Sequence, residues 1–351
     1  MLEAYSYVAM LYCKNAELDA LRNLDNAIKP QFLPILGIGP GQFNDLTNTI
    51  EKDKEATLNL RVALTLDEAK FGKSKKQPAR DQFDALFRPT NGFAEYYSLV
   101  NDWGAAIPTL RSISGIYENP SEQIANARAL DRGLLVHVRR HEYAHFVEIL
   151  ERGSFDDVDC AFAVDAEWSV DVLQAEAWMS SAITRITGTI PEAEIICLSS
   201  SFPKGFGHIG SKGVFSNDDR ELFDRLQRRH NAARLTYGDW GSTRASEETI
   251  ANRPRPRVDI PTQREWISFR QEDKDGSGYI GQAKKARLDS VWATLPECWG
   301  KRLVELTALE RPIRIRGTQS ANSARINLHL TTQSMAGTMD VIPEEPFVDN
   351  F

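Results

Sequence analysis

Short apolar segments with the composition of β-strands alternate with longer segments of helical periodicity over most of the chain. Such alternation is typical of a parallel sheet whose strands are joined by crossover helices. The first unit pairs an apolar run at 6–13 with a segment in which Leu18, Leu21 and Leu24 recur at helical spacing after a potential N-cap, Asn15. The number of these units predicts an α/β fold, a (β/α)8 barrel of the TIM-barrel type.

Eight segments are predicted to form the barrel strands. A helical insertion or an enlarged crossover is predicted at 41–104, after the second strand, and it contains a lysine-rich loop at 71–80. A further strand is predicted at 326–330. The last barrel strand follows a segment at 253–261 whose prolines exclude it from the centre of a sheet. The predicted barrel strands are 6–13, 32–40, 105–111, 133–140, 159–168, 193–203, 233–241 and 265–271.

The length and composition fit one domain. A chain of 351 residues can form a barrel with insertions, and we predict a single barrel domain over 1–340 followed by a mobile acidic tail at 341–351. Hydrophobic residues make up 42% of the chain and charged residues 26%, which is enough apolar material for a large core. The net charge of -7 disfavours nucleic acid as the main partner.

The cysteines and the hydropathy pattern predict the compartment. No CxxC pair is present, so the cysteines are interpreted as small hydrophobic residues in a reducing environment. No apolar run approaches the roughly 18 residues that a membrane span needs. We therefore expect a cytoplasmic protein that does not associate with a membrane. The four cysteines are Cys13, Cys160, Cys197 and Cys298.

Polar side chains follow several of the predicted strands, and a βα barrel gathers the carboxyl ends of its strands at one open mouth. The arginines in this set would suit a phosphate-bearing or otherwise anionic ligand, such as a nucleotide. Asp165, Glu167 and Asp239 are candidates for a catalytic base or for ligands of Mg²⁺. The alternative is that these residues form the ion pairs and loop caps of any barrel rim. The residues are Lys14, Glu17, Arg111, Arg139, Arg140, Asp165, Glu167, Ser199 to Ser201, Tyr237 and Asp239.

His141, Glu142 and His145 match the HExxH pattern, in which two histidines one helical turn apart bind zinc and the glutamate activates a water molecule. A third ligand would have to be Glu167 or Glu176. Two arginines precede the first histidine, and their charge disfavours zinc. A zinc site is therefore an alternative, and exposed histidines in the first turn of a helix are the favoured interpretation.

The segment from Asp273 to Ile280 matches the first eight positions of a calcium-binding loop. Asp273, Asp275 and Ser277 would supply oxygen ligands. The twelfth position, which should be a bidentate glutamate, is Lys284. A tight Asp/Gly turn is therefore favoured over a calcium site.

Arginines and aromatic residues are mixed between 253 and 270, a composition that could bind phosphates and stack on a base. The alternation of arginine with proline is equally typical of a stiff solvated loop. Nucleic-acid contact stays an alternative here. The residues are Arg253, Arg255, Arg257, Arg264, Trp266, Phe269 and Arg270.

Residues spread in order along the chain are similar to those of a known family. The similarity begins at Tyr7 and ends at His329, and the chain resembles the beta-protein family of satellite phages, prophages and bacterial mobile elements. It departs from that family at Ala9, where proline is usual, and at Gly37 or Gly39 after the second strand, where an acidic residue is usual. The residues that carry the resemblance are Tyr7, Lys14, Glu17, Ala20, Leu21, Leu33 to Leu36, Tyr237 to Asp239, Trp266, Arg270, Trp299, Gly300, Asn327 and His329.

The resemblance implies a barrel-like domain carried by phages or defence islands, often beside a partner gene, with no assigned reaction. Trp266, Arg270 and His329 are also predicted to bind the ligand. The first hypothesis is therefore a barrel protein that acts in phage–host conflict, binds an anionic ligand at its mouth and works with a protein encoded nearby. The second is a zinc hydrolase with Glu142 as general base, and the third is a non-catalytic interaction module.

Overall fold

The computed structural model describes residues 1–41, 45–72, 78–155, 158–244, 255–272 and 276–336. Eight strands in these residues form one parallel sheet in the order β4, β3, β2, β1, β9, β7, β6, β5, and the other three form a separate antiparallel sheet. The strands are β1 (Tyr7–Tyr12), β2 (Phe32–Ile38), β3 (Ala63–Leu66), β4 (Ile107–Pro108), β5 (Leu134–Val138), β6 (Cys160–Trp168), β7 (Glu194–Ser200), β8 (Lys212–Ser216), β9 (Arg234–Asp239), β10 (Arg257–Pro261) and β11 (Glu265–Arg270).

The parallel sheet closes into a barrel between its first and last strands. Thr109, just after β4, pairs in parallel with Leu135 of β5. The Leu110 backbone N–H also donates to the Leu135 carbonyl oxygen at 2.8 Å. Since this contact joins the two outer strands of the sheet, the (β/α)8 TIM-barrel-like fold predicted from the sequence is confirmed.

Helices cover the outside of the barrel and of the small sheet. Several begin at a polar cap, as at α7, where the Asp171 carboxylate accepts from the Gln174 N–H at 2.9 Å. The helices are α1 (Asn15–Arg22), α2 (Leu46–Ala56), α3 (Pro78–Ala85), α4 (Ala94–Asp102), α5 (Pro120–Leu130), α6 (Tyr143–Glu151), α7 (Val172–Thr189), α8 (Asp218–Arg229), α9 (Gly278–Arg287), α10 (Trp299–Ala308) and α11 (Thr318–Ala336).

Side chains alternate between the two faces of the barrel strands. In β1, Val8 and Met10 belong to the cluster that fills the barrel interior, whereas Tyr7, Ala9 and Leu11 belong to the cluster between the strands and the helices. Both faces of the strand are therefore buried, as expected for a parallel sheet covered by helices.

One predicted barrel strand is wrong, and one barrel strand was not predicted. The third barrel strand is β3, four residues long, inside the stretch predicted as a helical insertion at 41–104. The segment predicted as the eighth strand, 265–271, forms β11, which pairs antiparallel with β8 and β10. An alternating pattern marks a strand without showing which sheet it joins, and four residues give too little pattern to stand out. The proline-containing strand β10 lies at the edge of its sheet, as its composition requires.

The strand predicted at 326–330 is also wrong, because these residues lie inside α11. The helix packs against α1, α10 and β10, so both its apolar and its polar side chains are buried. One of them, Asn327, receives the Gly300 N–H at 2.8 Å and donates to the carbonyl of Ala20 at 3.0 Å. Burial on all sides removes the helical periodicity that would identify this segment.

None of the helices in the described part of the chain is long and apolar enough to cross a membrane. Half of the predicted lysine-rich loop, the aspartates of the calcium-like segment and the acidic tail at 341–351 lie outside the described residues.

Candidate functional site at the barrel mouth

Five charged or polar side chains from the carboxyl ends of three neighbouring strands form one hydrogen-bonded group, here called the mouth cluster. Glu68 follows β3, Arg111 and Ser112 follow β4, and Arg139 and Glu142 follow β5. Because these strands are adjacent in the sheet, residues about 70 positions apart in the chain come into contact. Glu68 accepts from Arg139 at 2.9 Å and from Arg111 at 3.4 Å.

Arg139 is shared between two carboxylates. Its Nη2 donates to Glu142 Oε1 at 2.6 Å and its Nε donates to Glu142 Oε2 at 3.0 Å, a bidentate pair. The Ser112 hydroxyl also donates to the Glu142 carboxylate. Burial alone would raise the pKa of the Glu142 carboxyl, but the hydrogen bonds and charge of Arg139 outweigh it and lower that pKa to about 2.

Arg111 is almost completely buried, with 2% of its side chain exposed. Its Nη1 donates to the Thr65 hydroxyl at 2.8 Å, and its guanidinium carbon lies 5.5 Å from the ring centres of Phe87 and Tyr96. Its Nε is buried without a hydrogen-bond partner among the described residues. The structure therefore holds this arginine rigidly and leaves part of its donor capacity unused.

A histidine–aspartate pair lies beside the mouth cluster. Leu135 of β5 and Ala163 of β6 belong to the cluster that fills the barrel interior. His137 and Asp165 lie two residues further along the same strands and therefore face the interior as well. The His137 Nε2 and the Asp165 Oδ2 are 2.9 Å apart. Asp165 is fully buried, whereas His137 keeps 13% of its side chain exposed. We call this pair the mouth dyad.

The backbone around Asp165 is irregular. The pairing of β6 with β7 shifts between Asp165 and Trp168, and Glu167 in this bulge has a left-handed φ of 57°. The Glu167 N–H donates to Asp165 Oδ1 at 2.7 Å. Non-glycine residues in this region cost about 1 to 3 kcal/mol and are concentrated at functional sites. Because of the bulge, the backbone of Glu167 departs from the regular conformation of the strand.

Asp239 and Tyr237, predicted at the mouth, are not there. Both lie on the outer face of β9, where the Asp239 carboxylate accepts from the hydroxyls of Tyr7 at 2.6 Å and Tyr237 at 2.8 Å. The His329 Nε2 of α11 lies 2.8 Å from the same carboxylate, and the Trp266 ring stacks on His329. We call these five residues the joint cluster, since they join the barrel to α11 and the second sheet.

The prediction that Asp239 lies at the mouth is wrong because of the two-residue period of a strand. Trp240 belongs to the interior cluster, so Asp239, its neighbour, faces outward. Burial would raise the pKa of the Asp239 carboxyl, but the charge and hydrogen bond of His329 lower it. Asp239, Tyr237, Trp266 and His329 are all buried, and they contact one another on the outer side of β9 instead of the residues of the mouth cluster.

Lys14 and Glu17 occupy the rim after β1. The Lys14 ammonium lies 4.9 Å from the Tyr12 ring centre. Tyr12 in turn packs on Trp240, whose ring N–H lies 3.4 Å from Asp165 Oδ1. Glu17 instead accepts the Lys14 backbone N–H at the start of α1, and burial raises the pKa of its carboxyl to about 7.

The other predicted residues lie apart from the mouth cluster. Arg140 is exposed and reaches toward the Gln174 carbonyl and the Trp178 ring. Arg270 donates to the Ile209 carbonyl beside the second sheet. Ser200 donates to the Thr243 carbonyl at 2.7 Å, and the Ser201 N–H donates to the Asp219 carboxylate.

The HExxH residues do not form the expected helical motif. His141 and Glu142 lie in a 3-10 turn (Arg140–Glu142), and α6 begins only at Tyr143. The His145 Nδ1 accepts the Tyr117 N–H at 2.9 Å, and His141 is half exposed. Because Glu142 pairs with Arg139 and its pKa is about 2, its carboxylate is a weak base. Among the described residues, no group of three His, Cys, Asp or Glu side chains is arranged to hold a metal ion.

The mixed arginine and aromatic segment does not form a base-stacking surface. Trp266 and Phe269 are buried beneath the second sheet. Arg257 pairs with Asp259 at 2.7 Å and lies over the Phe206 ring. Arg253 lies outside the described residues.

Sequence reasoning did not identify Glu68, Thr65 or His137. Glu68 and Thr65 were missed together with β3. His137 had a usable signal, because it is the single polar residue in the strand LLVHV and has the same alternation as Leu135. A polar residue at an interior position near the end of a barrel strand is a candidate for the mouth.

A closed βα barrel with a polar mouth and an appended antiparallel sheet defines the class of protein, a TIM-barrel-like protein with a candidate ligand site at the strand ends. The chain belongs to the Beta protein family, whose model matches residues 7–335. It is similar to Protein beta of Enterobacteria phage P4, with 24% identity over 342 residues that cover 94% of this chain and 93% of that protein. No solved structure matches the chain. The predicted family and its association with phages are thus confirmed.

Proposed function

We propose that the barrel mouth binds a small anionic molecule, with the guanidinium groups of Arg111 and Arg139 as its donors. The observation that carries this proposal is the position of Glu68. Its carboxylate lies between two arginines from neighbouring strands, each contacting a different oxygen, and one third of the side chain is exposed. A phosphate or carboxylate of a ligand would make the same contacts.

The charges of the mouth cluster support exchange of Glu68 for a ligand. Arg111 and Arg139 carry two positive charges, and the buried Glu142 neutralises one of them permanently. The remaining positive charge is balanced by Glu68, which comes from a short 3-10 turn (Glu68–Lys70). When that side chain turns away, the cluster carries one net positive charge in a largely desolvated place, where an anion is favoured.

Titration calorimetry with inorganic phosphate, pyrophosphate and ATP tests the proposal. The variant of choice is Arg139→Lys, which keeps a cation beside Glu142 but loses the bidentate fork. We expect its Kd for the tightest of the three probes to rise about tenfold. Arg140→Ala is the matched control, since the neighbouring arginine lies outside the cluster. Absence of binding by all three probes, or an unchanged Kd in Arg139→Lys, would contradict the proposal.

We also propose that the protein acts in phage–host conflict together with a protein encoded nearby. Membership of the Beta protein family and the similarity to a phage P4 protein support a role in mobile elements. The test is the plating efficiency of a phage panel on cells that express the gene with its neighbours, compared with cells that carry Arg139→Lys. Equal plating with the wild type, with the variant and without the gene would reject this role.

A further inference from the structure

The mouth dyad differs from a pair that only fills space, because one ring nitrogen of its histidine has no partner. The Asp165 carboxylate contacts His137 through Nε2. The opposite nitrogen, Nδ1, has no hydrogen-bond partner among the described residues, and the side chain is 13% exposed. The bond to Asp165 favours the tautomer that carries its proton on Nε2, which leaves a basic lone pair on Nδ1.

Asp165 is held in place from several directions. Its Oδ1 accepts the Glu167 backbone N–H and lies 3.4 Å from the Trp240 ring nitrogen. Its own carbonyl oxygen accepts the Trp178 ring N–H at 3.1 Å. A carboxylate fixed in this way orients the imidazole and stabilises it when it becomes charged.

A second histidine–aspartate pair in the molecule provides a comparison. His329 and Asp239 of the joint cluster are 0% and 1% exposed, and the aspartate also accepts from two tyrosine hydroxyls. That pair is closed to solvent and lies on the outside of β9. The mouth dyad, in contrast, keeps part of its histidine exposed and lies next to Arg139, which comes two residues after His137, just past the end of β5, and is on the same side of the chain.

We propose that the mouth dyad is a general-base catalyst that hydrolyses a phosphoester or phosphoanhydride bond of the ligand. This inference rests on the proposed function, because the ligand is held by Arg111 and Arg139. Residues two apart on one face of a strand are separated by about 7 Å, so a phosphoryl group bound to Arg139 would lie within a short distance of His137. Arginines also stabilise the charge on phosphoryl oxygens during transfer.

The proposed step conserves atoms and charge. His137 Nδ1 takes a proton from the water molecule while the water oxygen forms a bond to phosphorus. The bond between phosphorus and the leaving oxygen breaks on the opposite side of phosphorus, the leaving oxygen takes a proton from solvent, and the imidazolium releases its proton to solvent. Asp165 stays ionised throughout and stabilises the imidazolium.

The experiment uses the full chain with three probes: p-nitrophenyl phosphate, bis(p-nitrophenyl) phosphate and ATP. Released nitrophenolate or inorganic phosphate is measured, together with pyrophosphate binding by calorimetry. We expect turnover of at least one probe, a fall in kcat of about 100-fold or more in His137→Asn, and an unchanged Kd for pyrophosphate in that variant. His208→Asn, at an exposed histidine beside the second sheet, should keep the wild-type kcat.

The outcomes separate the two proposals. Pyrophosphate binding without turnover of any probe, or turnover that survives in His137→Asn, overturns the catalytic dyad and leaves anion binding standing. Loss of turnover accompanied by loss of pyrophosphate binding in a folded His137→Asn protein also overturns it, since the residue would then act in binding. Failure of the wild type to bind phosphate, pyrophosphate or ATP overturns the proposed function itself. His137→Gln provides a second variant if the asparagine variant does not fold.

Discussion

Glu68→Gln tests whether a side-chain carboxylate occupies the place of an anionic ligand. The change keeps the shape of the side chain and removes its charge, so the two arginines lose their shared counterion. The contacts are 2.9 Å to Arg139 and 3.4 Å to Arg111, and one third of Glu68 is exposed. Ion pairs of this exposure contribute about 1 kcal/mol, so we expect the free energy of unfolding to fall by about that amount in a buffer without multivalent anions.

Added phosphate should reverse this loss. An anion that binds only the folded protein stabilises it by about 2.7 kcal/mol when its concentration is roughly 100 times its Kd. Because Glu68 competes for the same donors in the wild type, the stabilisation by phosphate should be larger in Glu68→Gln. Urea denaturation is measured with and without phosphate, with sodium chloride added to keep the ionic strength constant.

A control variant separates this effect from a general loss of charge. Glu95→Gln removes a carboxylate from an exposed pair with Arg88 on the surface. Its stability should respond to phosphate as the wild type does. If Glu68→Gln also responds to phosphate no more strongly than the wild type, the arginines do not form an anion site and the reasoning is refuted.

Three further substitutions test the scaffold by urea denaturation. Burial raises the pKa of the Asp53 carboxyl to about 7, so the free energy of unfolding of the wild type falls as the pH rises from about 4 to 7. Between pH 5 and pH 8, the free energy of unfolding of Asp53→Asn should therefore rise by about 3 kcal/mol relative to that of the wild type. A difference between the two proteins that stays constant with pH would contradict this. Gly300→Ala would place a methyl carbon 2.2 Å from the Ala324 carbonyl oxygen and should cost about 1 to 3 kcal/mol, whereas Gly205→Ala, with open space around it, should cost much less. Asp239→Asn removes the charge that pairs with His329 and should cost about 3 to 5 kcal/mol; a loss below 1 kcal/mol would show that the pair is not stabilising.

The sequence was sufficient to predict the barrel and part of the mouth. Seven of the eight predicted barrel strands belong to the parallel sheet. Arg111 and Arg139 follow β4 and β5, and Asp165 and Glu167 lie near the end of β6. The identity of β3 could not be predicted, because its four residues lie between helices and carry no clear alternation. Glu68, which follows β3, was therefore not predicted either, although its carboxylate balances the remaining positive charge of the mouth cluster.

The wrong placement of Asp239 has a different cause. It ends a correctly predicted strand, but the terminal residues of a strand alternate between the two faces, so position in the chain alone does not show which residue enters the mouth. The interior residues of β1, Val8 and Met10, do not show which residues of β9 face the interior, because the register between the two strands cannot be read from the sequence. Here Tyr7 pairs with Tyr237 and Ala9 with Asp239, which places Asp239 on the outer face with Tyr7.

The joint cluster affects how the family similarity is interpreted. Tyr7, Tyr237, Asp239, Trp266 and His329 carry much of the sequence resemblance, and the structure places all of them between the barrel and α11, away from the mouth. Likeness at these positions therefore supports a shared attachment of the second sheet to the barrel and gives no information about a shared ligand. The joint and the mouth are nevertheless only one residue apart in the chain, because Trp240, next to Asp239, faces the interior and lies against Asp165. In a family member that has the same joint cluster, we expect the residue after the aspartate to lie at the wall of the mouth. Differences between family members in the ligand that they bind should then follow from the residues at positions 68, 111, 137 and 139.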